Sequence, residues 1–255
     1  MSKRAFALGA HPDDIEFLMA GTLMLLGRAG YEVHYMTVAN GSCGTAHLPR
    51  AEIVRIRREE ARAAAATIGA RYHESLVDDI QIFYEAPLLA RVGAVMREVA
   101  PEILLVHSPD DYMEDHENAA RLAVTAAFCR SMPNFSTDPP REPVAGDVGV
   151  YHAQPHSNRD PLRGPVRPDL FVDVSSVMAE KREMLAQHRS QKDWLDKTQG
   201  MGAYVNFMAG MCQEVGKMSG RFAYAEGWRR RLHLGFCEQG FDPLSSALGR
   251  YVHGG

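Results

Sequence analysis

The sequence predicts an α/β fold: a Rossmann-like, mostly parallel sheet with helices on both faces, plus a C-terminal strand and helix extension. Three observations carry that prediction. Short apolar runs alternate with helix-length amphipathic segments through the first half of the chain. The apolar runs end in loops rich in Gly, Asn, Asp and His. The chain has 255 residues, 45% hydrophobic and 24% charged, which suits one large globular domain. Residues 1–255 are therefore read as a single domain, with a core over 1–131 and a lid and oligomerisation extension over 132–255.

Residues 4–10 form the first buried strand. A helix follows over 16–29, with Phe17, Ala20, Leu23 and Met24 at helical spacing and Gly30 at its C-terminal end. "YEVHYMTVA" (31–39) alternates as a strand, and "NGSCGT" (40–45) is a loop by its turn residues. Pro49 opens a helix that Gly69 stops. The helix over 86–99 aligns Leu88, Val92, Val95, Met96 and Val99 and ends before Pro101. "EILLVH" (102–107) is a strand, and a helix follows over 115–131. In the second half, strands are expected at 148–154 and 170–174 and helices at 176–192 and 202–218. The Met-rich stripe of the last helix reads as packing. Prolines punctuate the loops between, and the second half is expected to form a lid and a subunit contact, the long loops serving function and the stripe of helix 202–218 and Trp228–Phe236 needing a surface to cover.

A net charge of −4 gives no electrostatic reason to expect nucleic acid or an anionic membrane as partner. The apolar stretch from Phe17 to Leu26 is too short to span a bilayer and lacks the order of a signal peptide. The four cysteines are scattered without a CxxC pair, so a reduced, cytoplasmic setting is expected. The run Arg229–Arg231 reads as a solvated or subunit-facing surface.

In parallel sheets of this kind ligands bind beyond the carboxyl ends of the strands. Three polar clusters fall there: His11-Pro12-Asp13-Asp14, Asn40–Thr45, and His107–His116. A turn stiffened by Pro12 can aim His11 and Asp14 at one point, and His116 can join them from the same edge. Two imidazoles and one carboxylate, with positions left to water, suit catalytic Zn²⁺, and other divalent ions are possible. Asp13 would stand beside the metal and take a proton from water that the cation acidifies. Taken singly, Asp13 or Asp14 is equally a helix cap, and His116 a surface histidine. As a set at strand ends they favour a metal site.

"GAHPDDIEFLMAGTL" (9–23) resembles the signature of the PIG-L/LmbE family of zinc-dependent N-acetylglucosaminyl deacetylases. "RREEARAAAATIGA" (57–70) is similar to that family's Arg-x-x-Glu helix, "DHENAA" (115–120) to its second histidine motif, and "KREMLAQHRSQ" (181–191) to its C-terminal helix. The resemblance implies His11, Asp14 and His116 as ligands, Asp13 as general base, Asp115 in support, and Arg57 contacting the substrate with Glu60 as its helix partner. An Arg–Glu pair at that spacing is also an ordinary surface ion pair. The implied reaction removes an acetyl group from a small-molecule amino-sugar conjugate. Relatives of this type form trimers or hexamers, which implies a homo-oligomer.

One position departs from the family pattern. Many members carry a histidine three residues before the final ligand; here it is Met113, which donates no hydrogen bond. His188 is the expected replacement, because it shares an apolar helix face with Val177, Met184 and Leu185; a buried, satisfied core histidine is the equal alternative there. His156, His107 and Tyr112 are further donors, and Tyr112 and His156 are also expected at the substrate. Two other readings stand beside the deacetylase. One is a hydrolase of another amide; the other is a metal-binding relative without catalysis. A dinucleotide site is disfavoured, since the first turn has two acids and no GxGxxG.

Overall fold

The computed structural model describes residues 3–192 and 203–254. Its first half runs β1 (Arg4–Gly9), α1 (Asp14–Leu18), α2 (Ala20–Arg28), β2 (Glu32–Thr37), α3 (Arg50–Thr67), β3 (Arg71–His73), α4 (Ala86–Val99), β4 (Ile103–Val106) and α5 (Glu114–Cys129). The second half supplies β5 (Gly149–Ala153), β6 (Leu170–Asp173), α6 (Met178–Leu185), α7 (Ala203–Ser219), β7 (Ala225–Arg230), α8 (Pro243–Leu248) and β8 (Val252–Gly254).

All eight strands join one sheet in the order β3-β2-β1-β4-β5-β7-β6-β8. The first five pair in parallel, and β7, β6 and β8 extend the sheet antiparallel. The predicted α/β class and its C-terminal extension are both present. Alternate side chains of each strand enter opposite layers, as the period of two demands. Ala5, Ala7, Val33, Tyr35, Ile103 and Leu105 pack beneath α1, α2, α3, α6 and α7. Phe6, Leu8, Met36, Leu104 and Val106 pack against α4 and α5. Strand order reverses between β1 and β4, so the crevice beyond their carboxyl ends is the topological switch point.

Three expectations are corrected. The helix predicted over 16–29 is broken at Met19 (φ −133°) into α1 and α2. The break exposes the amides of Gly21 and Thr22, and the Glu226 carboxylate accepts both, at 2.8 and 2.7 Å. The helix predicted over 176–192 leaves helical form at 186–188. Strands β3, β7 and β8 lie where the sequence predicts none, β3 and β8 being only three residues long. The predicted start of the helix over 202–218 lies outside the described residues.

The extension covers the chain's own surface. Trp228 has no exposed area, and its Nε1 donates to Thr22 Oγ1 at 3.0 Å, so this part of the expected subunit contact is interior. Met208, Met211 and Val215 of α7 are likewise buried, in agreement with the packing reading. Arg229 is drawn in as well, donating to Ser108 Oγ at 2.7 Å. Among the described residues no helix is long and apolar enough to cross a membrane.

Glu226 ties this half to the first. Besides the two amides it meets the Lys181 ammonium at 2.5 Å, and Lys181 also donates to the Phe17 carbonyl at 3.0 Å. Both side chains are out of solvent. Burial disfavours the lysine cation, but Cys212 and Glu226 outweigh it and hold the Lys181 pKa above its ordinary value. Removing one member of such a pair strands the other charge, at about 3–5 kcal/mol. Lys181→Met is therefore expected to destabilise the protein on that scale in urea unfolding. The double variant Lys181→Met/Glu226→Gln should cost less than the two single changes summed. An unchanged midpoint for Lys181→Met would deny the pair this role.

Candidate metal centre

At the end of β1 the chain turns through His11 and Pro12 and starts α1 at Asp14. Asp14 faces backward into that turn: its Oδ2 accepts from the amides of Ala10 (3.1 Å) and His11 (2.7 Å). Asp13 has no capping bond to the helix. Asp13 stands at the N-cap position, but neither carboxylate caps the helix, the alternative that the sequence leaves open.

His11 and His116 are set in matching ways. His11 Nε2 lies 2.9 Å from Asp115 Oδ2, leaving Nδ1 directed to Asp14 at 3.6 Å. His116 Nδ1 lies 3.1 Å from Asp111 Oδ1, leaving Nε2 3.4 Å from Asp14 Oδ1. Each ring thus has a carboxylate on its far nitrogen, the partner that fixes tautomer and orientation in histidine metal ligands. Potential ligand atoms of His11, Asp14 and His116 all lie within 4.8 Å of one another. The donor set fits a divalent cation such as Zn²⁺. Asp115, expected in support, reaches His11 from α5; Asp111, which orients His116, was not singled out from sequence.

Burial disfavours the His11 cation, yet Asp115 and Asp14 outweigh that and push its pKa up to about 9. His116 is treated alike by Asp14 and Asp111 and reaches about 10. Burial also works against the Asp14 carboxylate, but His116 and His107 hold it well below its usual range.

Asp13 has φ +103°, the left-handed region that Asp tolerates better than most residues. Two side chains hold it there. Tyr204 Oη, on α7, donates to Asp13 Oδ2 at 2.6 Å, and Arg57 Nη2 lies 3.3 Å from the same oxygen. Arg57 also donates to the Pro12 carbonyl. Burial and Asp13 drive the Tyr204 hydroxyl well above its ordinary pKa, so it remains a donor. Arg57 is only 4% exposed and is no surface ion pair. Glu60 does not complete a surface pair either; its carboxylate accepts from the Ser190 amide and hydroxyl at 2.8 and 2.7 Å.

The loop over 40–45 wraps Arg57. Gly41 (φ +80°) and Gly44 pass so close that a Cβ at either would collide with the guanidinium arm. Asp79 clamps this loop from beyond β3, accepting from Gly41 N at 2.7 Å and Cys43 N at 2.8 Å. Gln191 donates to the Gly44 carbonyl at 2.6 Å. The "HRSQ" segment therefore braces α3 and this loop.

His11, Asp13, Asp14, Arg57, Tyr112, His116 and His156 open on one cavity of about 610 Å³, with Asp79, Met113 and Tyr204 on its wall. The structure corrects the expectation for His188. Its ring is fully buried, 3.2 Å from Glu16 Oε1, and is absent from the cavity lining. Burial lowers the His188 pKa, but Glu16 outweighs this and raises it, making an interior ion pair. His107 is also excluded from the cavity; it is fully buried and stacks on His116 at 4.2 Å. Asp79 and Tyr204 were missed because each is brought in by tertiary packing alone.

Fold and site together define an α/β enzyme scaffold with a histidine–carboxylate cluster at the switch point of its sheet. Comparison with known proteins makes this specific. The profile of the family described as PIG-L, GlcNAc-PI de-N-acetylase, matches residues 6–127. The chain belongs to this family. It is 31% identical over 187 residues to 4-oxalmesaconate hydratase of Pseudomonas putida, covering 70% of each chain. To diacetylchitobiose deacetylase of Thermococcus kodakarensis it is 28% identical over 242 residues, covering 89% of this chain and 82% of the relative. The solved structure of N,N'-diacetylchitobiose deacetylase from Pyrococcus horikoshii superposes with a TM-score of 0.77 at 24% identity, over 95% of this chain and 89% of that one. The 4-carboxy-2-hydroxymuconate hydratase of Pseudomonas putida gives 0.75 at 26% identity, over 89% and 95%.

The raised histidine pKa values have a signed consequence. Stability from protonated His11 and His116 is full below about 6.5, their unfolded value. It is lost as pH rises through about 9 and 10. A divalent ion must displace the same protons. Zinc titrated into metal-free protein at pH 7.5 is expected to release protons, so its calorimetric heat should change with the buffer's ionisation enthalpy. Heats independent of buffer would contradict the assignment.

Proposed function

We propose that the chain is a metal-dependent amide hydrolase that removes an acetyl group from an N-acetylated amino sugar or its conjugate, with zinc as the metal. The observation carrying this reading is the matched pair His11 and His116. Each has one nitrogen on a carboxylate and one turned to Asp14, beside Asp13 in the same cavity. The diacetylchitobiose deacetylase of Thermococcus kodakarensis suggests the amide and the sugar. A divalent metal held by His11, Asp14 and His116 would polarise the scissile carbonyl and acidify water. Asp13 accepts the proton of the attacking water and returns it to the leaving amine. Tyr204 and Arg57 keep its carboxylate in place through Oδ2. With Met113 unable to donate, His156 or Tyr112 on the cavity wall takes the contact to the developing oxyanion.

A second reading, water addition to the double bond of an unsaturated carboxylate, is favoured by Met113 and by the hydratase at 31% identity. Against it, Arg57 is the only Lys or Arg among the described cavity residues and already meets Asp13 and the Pro12 carbonyl. Acetate release from N-acetylglucosamine and N,N'-diacetylchitobiose, against absorbance loss from 4-oxalmesaconate, separates the two.

Wild type is expected to hold about one zinc per chain, and His11→Ala and His116→Ala to lose it, in metal analysis. Asp13→Asn should keep its metal while the rate falls roughly 10²- to 10⁴-fold. A wild-type rate in Asp13→Asn would sink its role as base. We further place the chain in the cytoplasm as a homo-oligomer, supported by four free cysteines and by Leu232 and Leu234, 65% and 63% exposed. A monomer in light scattering at micromolar concentration would refute the oligomer.

A further inference from the structure

The floor of the cavity is polar, but its mouth is not. Tyr112, Ile80 and Phe207 line it while remaining 61%, 59% and 45% exposed. The rings of Tyr112 and Phe207 continue into Phe17 and His156: Tyr112 to His156 at 5.3 Å, His156 to Phe207 at 5.1 Å and 29°, and Phe17 to His156 at 5.6 Å. Large apolar side chains left in water at the edge of a pocket mark a surface that a ligand covers.

Ile80 adds an independent sign. Its φ is +64°, a conformation that a β-branched residue adopts only under constraint. The constraint is visible: the Ile80 amide donates at 2.7 Å to Asp115 Oδ2, the oxygen that also orients His11. Its neighbour Asp79 is fixed by the loop it clamps. A strained backbone thus holds an aliphatic side chain at the rim, where nothing in the core needs it. Strain of this kind is retained where it places a functional group. Charge points the same way, because the one described arginine of the cavity is occupied by Asp13 and the Pro12 carbonyl.

We propose that the Ile80–Tyr112–Phe207 mouth is a binding subsite for a planar apolar substituent of the substrate, which narrows the substrate class to N-acylated amines carrying an aryl or similarly flat apolar group. This rests on the reading that His11, Asp14 and His116 hold a divalent metal. The substituent lies against the rings of Tyr112, Phe207 and His156, with Ile80 closing one side. The polar end of the molecule reaches the floor.

Two hydroxamates test this in the full zinc-loaded chain by calorimetry. Acetohydroxamate reaches only the metal, whereas its N-benzyl derivative carries a phenyl ring on the nitrogen, the side from which the substrate's amine substituent reaches the mouth. The phenyl compound is expected to bind at least about tenfold more tightly, the scale of burying one such ring. In Ile80→Gly, which also relieves the backbone, and in Phe207→Ala, the preference should fall to roughly threefold or less. Acetohydroxamate affinity should hold in both variants, which confirms that each is folded with its metal site intact. Equal affinities in wild type, or a preference that survives both substitutions, would overturn the subsite and leave the metal reading standing. Binding of neither compound would overturn both.

Discussion

A carboxylate taken out of water must be compensated, and Asp14 imposes that requirement on everything around it. Its two oxygens face the amides of the β1 turn, His11, His107 and His116. Asp115 and Asp111 take the far nitrogens of His11 and His116, and beyond the His107 ring its backbone carbonyl accepts from His152 Nδ1 at 2.8 Å. The chain of compensation runs outward from one oxygen pair into β5 and α5. The parallel sheet makes it possible, because only strand ends bring segments about 100 residues apart in sequence to one point.

What the sequence disclosed follows from how local each signal was. The β1 turn crowds a histidine and two acids into four positions after an apolar run, and that conflict with burial is visible without a structure. His116 was legible through its motif and its place after β4. Asp111 and Asp79 were not, because an aspartate in a polar loop looks the same whether it clamps amides or faces water. Tyr204 was hidden for another reason: at the head of an apolar helix it reads as packing, and only the fold turns its hydroxyl to Asp13. His188 misled through the same ambiguity. Its face does point inward, but an interior position also suits a partner for buried Glu16.

In the extension, an expected surface for another subunit turned out to be largely interior. Trp228 and the Met stripe are apolar because β7 and α7 build the same core as the first half. Periodicity cannot distinguish a face covered by a neighbouring molecule from one covered by the chain itself. The described contacts between the halves are polar as well as apolar: Lys181 to the Phe17 carbonyl, Glu226 to the head of α2, and Ser190 to Glu60. The first and last of these pin α1 and α3, which carry Phe17 and Arg57 of the cavity wall.

The bond from Tyr204 to Asp13 spans 191 positions of sequence. During synthesis the histidine–carboxylate cluster has all its residues once position 116 has been added, whereas Asp13 has no Tyr204 to meet until much later. The two aspartates, adjacent in the chain, therefore depend on different stretches of sequence: the histidines facing Asp14 all lie within the first 116 residues, whereas Asp13 draws on α3 through Arg57 and on α7 through Tyr204. A chain cut before α7 would keep every residue of the cluster and lose the hydroxyl that meets the neighbouring carboxylate.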